Sequence, residues 1–506
     1  MNPETRNLEP ATPNLKSLSS YGQPLMLSRI KQLESLSRKL EPASDERHRL
    51  TGKVLDYAND FLDHIYELPA YVVTDDKGIG IYHSPIVEEP SDINTLLNLL
   101  KHHVDHPGLN PASGGHLGYI PGGGIYPSAL GDFLADVTNR YAGIFFGSPG
   151  AVRMENMLID WMASIAGYPK TAVGNLTSGG SIANLIGIVT AREAHKLKAK
   201  DFERSVIYLT EHVHHSVEKA IRISGLKECP VHYVPMDERY RMNPDVLEQM
   251  IVSNKKSGLH PWLVIASAGT TDVGAVDPMD VIGDIAGKHE LWFHVDGAYG
   301  GFFILCDEGK KVLKGMESSD SLVMDPHKGL FLPYGTGAVL VKDQKSIFDA
   351  HYYLANYMQD TLCSRDEVSP ADLSPELTKH FRGLRLWLPL KLYGAAPFRA
   401  GLEEKILLAR YFWETLKTLD GFEVGAFPEL SIVTFRYLPQ KGDINAFNEQ
   451  LVEEVRRDGR VFLSSSLIDG KFVIRLAALA FRTHLDTIEL TLKILNEKVK
   501  LIEGSR

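Results

Sequence analysis

The feature that most constrains the fold is an alternation of short apolar runs with helix-length segments between about residues 120 and 390. Each run is three to five residues long, which is typical of strands that are buried on both faces. Strands joined by helices form parallel or mostly parallel sheets with helices on both sides. This region is therefore predicted to have an α/β fold. The predicted strands are 206–209, 231–234, 263–267, 291–295, 322–324 and 338–341.

The chain after this region has a different pattern. A long helical stretch comes first, and two apolar runs with a helix between them and a final helix follow it. This order predicts a small C-terminal α+β domain over 395–506, after a large domain over 120–394. The predicted elements are a helix over 398–419, strands over 430–437 and 472–476, and a terminal helix from about His484.

The chain before the large domain is predicted to contain a polar extension, 1–44, and a helical arm, 45–119. Apolar residues recur at helical spacing over 54–65 and 93–104, and Ser91 is the predicted N-cap of the second helix. The apolar faces of two such helices have to be covered. Either the large domain or a partner subunit could cover them, and the sequence leaves both possibilities open.

Composition excludes several classes of partner and location. The 506 residues contain 54 Lys and Arg against 64 Asp and Glu, and this net charge of −10 argues against nucleic-acid or anionic-membrane partners. The three cysteines form no CxxC pair, which is typical of a reducing compartment. No apolar signal core opens the sequence, and no run of 18 apolar residues occurs. We expect a soluble, cytoplasmic protein.

Residues 176–184, with the sequence LTSGGSIAN, run from small residues directly into a helical pattern. A glycine turn at a helix N-terminus presents free N–H groups and the positive end of the helix dipole, which suits a phosphate. An ordinary tight turn with a serine cap is the alternative.

Two charged residues follow predicted strands, where ligands bind in open α/β sheets. Asp296 ends the run LWFHVD and could pair with a protonated ring nitrogen, a ribose hydroxyl or a metal. Lys328 lies in DPHKG after the next strand and could act as an amine nucleophile towards a carbonyl. A turn-capping aspartate and a surface lysine are the alternatives.

Histidines are concentrated in EHVHHSV, 211–217, where one ring could stack on a planar cofactor. Zinc is the competing interpretation, but carboxylates and cysteines at ligand spacing do not accompany these histidines, and no metal is predicted. The same argument applies to His102, His103 and His106.

One ligand would use a phosphate turn, a carboxylate, a stacking imidazole and a lysine together, namely pyridoxal phosphate. The lysine would form a Schiff base, and the carboxylate would keep the pyridine nitrogen protonated. The patterns GxGxxG, GxxxxGK[ST] and GxSxG are absent, which argues against nicotinamide, P-loop and nucleophile-elbow sites.

The motifs TSGGSIAN, EHVHHSVEKA, IASAGTT, HVDGAYGG and DPHKG occur in an order and spacing that resemble the group II pyridoxal-phosphate decarboxylases, which include aromatic-L-amino-acid, tyrosine and glutamate decarboxylases. The resemblance covers about residues 45 to 500. It implies an aspartate-aminotransferase-like fold and a homodimer whose sites are completed across the interface.

The resemblance also implies roles for individual residues. It assigns catalysis to Lys328, which would carry the cofactor, with His214, Asp296 and His327. The implied cofactor-binding set is Gly180, Ser181, His214, Thr271, Asp296, Ala298, Asp325 and Lys328, and the implied substrate pocket is Tyr119, Ile120, Pro121 and Tyr334.

Two departures from the family pattern affect the expected chemistry. Many members have Asn at the position of Asp325, and an ionised Asp cannot donate to a phosphate. The stretch 358–377 also lacks the tyrosine that often reprotonates the substrate carbon in this family.

The resulting hypothesis is decarboxylation of an L-amino acid, aromatic or of another type such as acidic, through a Lys328 Schiff base and a quinonoid. An aldehyde-forming oxidative deaminase of the same family is the first alternative. An aminotransferase, with Arg475 as a carboxylate clamp, is the second, and a cofactor-binding regulator without turnover is the third.

Overall fold

The computed structural model describes residues 23–353 and 367–504. Its centre is a seven-stranded sheet. The strands are β3 Val173–Thr177, β4 Ser205–Leu209, β5 Val231–Tyr233, β6 His260–Ser267, β7 Trp292–Asp296, β8 Ser321–Met324 and β9 Gly337–Val341. Their order in the sheet is β3-β9-β8-β7-β6-β4-β5. Six strands run in one direction, and β9 runs antiparallel to both β3 and β8.

The predicted α/β class is confirmed, and each of the six predicted strands overlaps an observed one. Strand β3 was not predicted, because the sequence VGNLT contains Gly and Asn, which are depleted in strands. It nevertheless pairs with β9 along its whole length. This strand matters for the site, because the predicted phosphate turn follows it.

Helices cover both faces of the sheet, because alternate strand residues point to opposite sides. One apolar core lies between the sheet and α5, α8 and α9, and a second lies between the sheet and α6 and α7. The helices of this domain are α4 Tyr126–Thr138, α5 Pro149–Ile165, α6 Gly180–Ala194, α7 His215–Ile223, α8 Pro244–Lys256, α9 Met279–His289, α10 Asp307–Val312, α11 Pro326–Gly329, α12 Gln344–His351 and α13 Gly383–Tyr393.

The C-terminal part has its own apolar core and a four-stranded antiparallel sheet in the order β10-β11-β13-β12. Its predicted helices and two predicted strands are confirmed, whereas β10 and β12 were missed because they are short and partly polar. The elements are α14 Ala396–Lys417, β10 Phe422–Val424, β11 Ile432–Tyr437, α15 Ile444–Asp458, β12 Ser464–Ile468, β13 Lys471–Ala477 and α16 Leu485–Gly504.

Between residue 23 and α4, the structure describes three α-helices with no fully buried residue and a short antiparallel strand pair. The first helix lies within the predicted extension, 1–44, and the other two overlap the two helices predicted in the arm. The prediction that Ser91 caps the second of these predicted helices is wrong. Asp92 is the cap, and its Oδ2 accepts from Asn94 N at 2.8 Å, because its side chain immediately precedes the first helical turn. The elements are α1 Gln23–Ser37, α2 Ser44–Asp63, β1 Tyr71–Val72, α3 Ile93–Leu100 and β2 Gly108–Leu109.

Within residues 23–353 and 367–504, no helix combines the length and apolar character needed to cross a membrane.

Candidate active site

A cavity of about 330 Å³ lies where the carboxyl ends of β3, β4, β6, β7 and β8 meet. Parallel strands bring the residues that follow them to one edge of the sheet, so segments that are distant in sequence share this cavity. Nine sequence-predicted residues line it, namely Gly180, Ser181, His214, Thr271, Asp296, Ala298, Asp325, His327 and Lys328.

The turn between β3 and α6 forms a narrow cradle at one end of the cavity. Gly179 has φ of +155°, which an L side chain rarely adopts. A Cβ atom at Gly180 would lie 2.8 Å from Asp325 Oδ2 and 3.1 Å from Ala298 Cβ. Ile182 N donates to the Gly179 carbonyl at 3.1 Å, whereas the N–H groups of Gly180 and Ser181, the first two residues of α6, have no acceptor within the helix and can bind an anion.

Asp296 is the last residue of β7 and is 7% exposed. Its Oδ1 accepts from Ala298 N at 3.1 Å, and its Oδ2 accepts from Asn184 Nδ2 at 3.0 Å. Two N–H donors stabilise a negative charge on this carboxylate. The arrangement suits a partner that carries a proton on a ring nitrogen.

His214 is the N-cap of α7, and its Nδ1 accepts from Ser216 N at 3.3 Å. Burial lowers the pKa of His214, so the ring is neutral at pH 7. A neutral, half-buried imidazole at the cavity wall can pack against a planar ring.

Lys328 lies in the single helical turn α11, immediately after β8. Its Nζ is 3.1 Å from Asp325 Oδ2, although neither Asp325 oxygen accepts a hydrogen bond. His327 Nδ1 is 2.6 Å from the carbonyl oxygen of Thr336, and burial lowers the pKa of His327. The amine is therefore held at the cavity by an ion pair with a carboxylate that is 1% exposed.

The four residues of the predicted substrate pocket do not line this cavity in the described part of the chain. The Tyr119 ring lies 5.8 Å from the Phe462 ring and is 57% exposed. Ile120 and Pro121 are buried. Tyr334 lines a neighbouring cavity of about 370 Å³, and its ring is 6.0 Å from the His327 ring.

Arg475 uses its donors within the protein. Nε donates to the Asp272 carbonyl at 2.7 Å, Nη1 donates to Ser464 Oγ at 2.7 Å, and Nη2 donates to the Thr271 carbonyl. Arg475 thus ties β13 to the loop that carries Thr271, and burial lowers its pKa. These contacts favour a structural role over that of a substrate clamp.

The histidine clusters do not assemble a metal centre in residues 23–353 and 367–504, where no group of three His, Cys, Asp or Glu side chains could hold an ion. His103 instead lies 2.7 Å from Asp76 Oδ2, and His102 bonds the Asn98 carbonyl.

Three polar residues of the site were missed in the sequence. Asn184 and Ser216 line the cavity, and His294 lies behind Asn184. The sequence carries a signal for each. Asn184 is one helical turn after Gly180, and His294 shares a strand face with Asp296 because the two are two residues apart.

These side chains fit pyridoxal phosphate. The cradle at Gly180 offers free N–H groups to a phosphate, Asp296 offers a stabilised carboxylate to the pyridine nitrogen, and Lys328 offers an amine to the aldehyde. His214 offers a neutral ring that can stack. The one poor match is Asp325, whose carboxylate faces the cradle.

Comparisons with known proteins agree with this geometry. Residues 92–438 match the model of the pyridoxal-dependent decarboxylase conserved domain. The chain is 32% identical to an aromatic-L-amino-acid decarboxylase of Bacillus atrophaeus over 92% of this chain and 98% of that protein, and 28% identical to a phenylacetaldehyde synthase of Petunia hybrida over 92% and 99%.

Among solved structures, Oryza sativa TDC with PLP and tryptamine superposes with a TM-score of 0.86 at 22% identity, covering 92% of this chain and 99% of that one. The fold is therefore that of the pyridoxal-phosphate enzymes. The matched domain, the near full-length similarity and the cavity chemistry together establish that the chain belongs to the pyridoxal-dependent decarboxylase family, with pyridoxal 5'-phosphate as its cofactor.

Proposed function

We propose that this chain decarboxylates an L-amino acid with an aromatic side chain to the amine and carbon dioxide. The observation that carries the proposal is the convergence of the Lys328 amine, the Asp296 carboxylate and the His214 ring on one cavity. Bound pyridoxal phosphate supplies a ring that accepts the electrons of the breaking bond. The names of the Bacillus and Petunia relatives support the aromatic class.

The protein's own residues bind and orient the reactants. The Lys328 Nζ would hold the cofactor covalently, and Asp296 would keep a proton on the pyridine nitrogen. The neutral His214 ring at the cavity wall would pack against the cofactor, with His327 next to the lysine. Gly180 and Ser181 would hold the phosphate with Asp325 beside it, Ala298 would lie against the ring, and Thr271 would lie near the cofactor. The proposed substrate pocket remains Tyr119, Ile120, Pro121 and Tyr334, although these four residues do not line the cavity that contains Lys328.

The aldehyde-forming reaction is the second candidate. The stretch 358–377 has no tyrosine to return a proton to the substrate carbon, and only its part from residue 367 lies within the described residues. The similarity to the Petunia phenylacetaldehyde synthase favours this candidate too. Such a reaction consumes dioxygen and releases ammonia and peroxide with the carbon dioxide.

Lys328→Ala tests the assignment of the amine. The purified wild-type protein is expected to show the visible absorbance of a covalently bound cofactor, and Lys328→Ala should lose it together with carbon dioxide release. Lys493→Ala is a control, because Lys493 lies on α16, has a side chain that is 68% exposed and does not line the cavity. Unchanged absorbance in Lys328→Ala would show that another amine holds the cofactor.

A substrate panel tests the reaction. Purified protein is incubated with the twenty common amino acids, dihydroxyphenylalanine, diaminobutyrate and cysteine sulfinate, and carbon dioxide, amine, aldehyde and peroxide are measured separately. Amine and carbon dioxide in equal amounts from an aromatic substrate support decarboxylation. Peroxide in equal amounts with aldehyde selects the second candidate, and carbon dioxide from an acidic substrate alone overturns the aromatic class.

We also propose a cytoplasmic homodimer in which the arm, 45–119, and α4 cover each other's apolar faces across subunits. Phe133 of α4 is 55% exposed, and α2 and α3 bury none of their residues. Light scattering should give twice the chain mass, and Phe133→Glu should give the chain mass. Leu501→Glu on α16, which is equally exposed at 55%, is the control and should leave the dimer intact. A monomeric wild-type protein would contradict the proposal.

The domain limits 1–44, 45–119, 120–394 and 395–506 likewise remain a proposal. The separate apolar core of the C-terminal part supports the last boundary. Limited proteolysis should cut near the first boundary and spare the compact domains.

A further inference from the structure

Asn184 occupies the centre of a buried hydrogen-bond network beside the cavity. It is 1% exposed, and its side chain makes three hydrogen bonds. Nδ2 donates to Asp296 Oδ2 at 3.0 Å and to Ser216 Oγ at 3.1 Å, and Oδ1 lies 2.8 Å from His294 Nε2. One side chain of α6 therefore contacts two residues of β7, Asp296 and His294, and one residue of α7, Ser216.

The direction of every hydrogen bond in this network follows from groups that can only donate or only accept. A carboxylate only accepts, so the Asn184 amide must turn Nδ2 towards Asp296. Asn184 Oδ1 then needs a donor, which must be the Nε2–H of His294. Burial lowers the pKa of His294 to about 4, so this ring is neutral and its Nδ1 accepts.

The hydrogen bonds of Trp292 and Ser321, on the other side of His294 from Asn184, are consistent with these directions. Trp292 Nε1 can only donate, and it lies 2.8 Å from Ser321 Oγ. Ser321 Oγ is then free to donate to His294 Nδ1 at 2.7 Å. The Trp292 indole can only donate and the Asp296 carboxylate can only accept. The two ends of the network therefore require the same direction for the hydrogen bonds between them.

The second Nδ2 hydrogen of Asn184 extends the network to His214 through Ser216. Ser216 Oγ accepts from Asn184 and can therefore donate its own hydrogen to His214 Nδ1 at 2.7 Å. The backbone N–H of Ser216 points at the same atom at 3.3 Å. Two donors on Nδ1 require the proton of a neutral His214 to be on Nε2.

We propose that Asn184 is a positioning residue that couples the Asp296 carboxylate to the His214 ring and fixes His214 as its Nε2–H tautomer. The inference rests on the proposed roles of Asp296 and His214 at the cofactor ring. As a consequence, the Asn184 amide both stabilises the negative charge of Asp296, proposed to lie beside the pyridine nitrogen, and orients the His214 ring, proposed to pack on the cofactor.

Cofactor binding by Asn184→Ala and Asn184→Ser tests the coupling. Loss of a buried bond to a charged group should weaken pyridoxal phosphate binding by roughly 10- to 100-fold, measured by titrating the apoprotein and following visible absorbance. The pH at which the visible absorbance of the bound cofactor is halfway between its limiting values should also shift, because the Asp296 carboxylate loses a hydrogen-bond donor. Asn184→Ser keeps a small polar side chain and serves if Asn184→Ala does not fold.

Asn448→Ala is the matched control. Asn448 is equally buried, bonds Tyr437 N and the Tyr437 carbonyl oxygen in the C-terminal part, and does not line the cavity. It should change thermal stability without changing the cofactor affinity or the absorbance midpoint. Asn184 variants with wild-type affinity and midpoint would overturn the inference while leaving the proposed function intact. A wild-type protein without cofactor absorbance would overturn the proposed function instead.

The tautomer has a separate readout. Solid-state ¹⁵N spectra of protein labelled at histidine should show an unprotonated Nδ1 for His214, identified by the resonance that disappears in His214→Asn. A protonated Nδ1 on neutral His214 would overturn the tautomer assignment, whatever the enzyme's activity.

Discussion

At the scale of single residues, Asp325 places a carboxylate where the phosphate turn would favour a donor. It is 1% exposed, and its Oδ2 is 3.1 Å from Lys328 Nζ. Oδ2 would also lie 2.8 Å from a Cβ atom at Gly180, so the carboxylate borders the cradle at the start of α6. A phosphate bound there would meet a second negative charge.

We therefore predict that Asp325→Asn binds pyridoxal phosphate more tightly than the wild type, by roughly tenfold, because the amide removes the repulsion and adds a donor. Absorbance titration of the apoprotein measures the dissociation constant. Asp325→Ala separates the two effects, since it removes the charge without adding a donor and should give a smaller gain. Weaker binding by Asp325→Asn would instead mean that the ion pair with Lys328 is needed to hold the amine.

At the scale of elements, a buried ion pair joins the segment before α13 to α5 and β3. Lys379 Nζ is 2.7 Å from Glu155 Oε2, donates to Asn175 Oδ1 at 2.7 Å and to the Leu176 carbonyl at 3.3 Å. The Lys379 side chain is fully buried, and that of Glu155 is 2% exposed. This contact holds the chain that follows residue 366 against the strand that leads into the phosphate turn.

Lys379→Met is expected to lower the free energy of unfolding by about 3–5 kcal/mol, because it leaves the Glu155 carboxylate buried without a countercharge. The double variant Lys379→Met/Glu155→Gln should recover most of this loss, since it removes both charges. Urea unfolding of the three proteins at pH 7 measures the difference. Equal losses in the single and double variants would show that packing, rather than the unpaired charge, determines the effect.

At the scale of the whole molecule, three histidines in different parts of the fold, two of them buried and one partly buried, make stability depend on pH. Burial lowers the pKa of His116, His294 and His351 to about 4 each. The unfolded chain binds protons at these positions below about pH 6.5, whereas the folded chain does not bind them until about pH 4. The free energy of unfolding should therefore be unaffected by these groups above pH 7 and should fall as the pH drops from 6.5 to 4.

Each histidine should contribute a loss of about 1.4 kcal/mol per pH unit in that range. His116→Phe removes one of them, so between pH 7 and pH 5 it should lose about 2 kcal/mol less than the wild type. Urea unfolding at fixed protein concentration measures this difference. The same loss in both proteins would mean that His116 is protonated equally in the folded and unfolded chains.

Local sequence signals were sufficient for most of the fold. The apolar runs at 263–267 and 291–295 predicted β6 and β7, because strands buried on both faces are apolar throughout. The reversed direction of β9 was not predictable, because strand direction depends on pairing with β3 and β8 rather than on composition. Likewise Ser91 and Asp92 are both good caps, and only the path of the chain selects Asp92.

Local sequence patterns were enough to identify the chemical groups of the site and their attachment to strand ends, as for Asp296 and Lys328, because strand periodicity and turn residues act over a few positions. Which of these groups touch one another depends on the packing of distant segments. Asn184 and Asp296 are 112 residues apart and are joined by one hydrogen bond, and His294 Nε2 contacts the Oδ1 atom of the same Asn184 side chain. Hydrogen bonds require atoms to lie within a few tenths of an ångström of one distance, and sheet register and helix packing set that distance between parts of the chain that no local pattern connects.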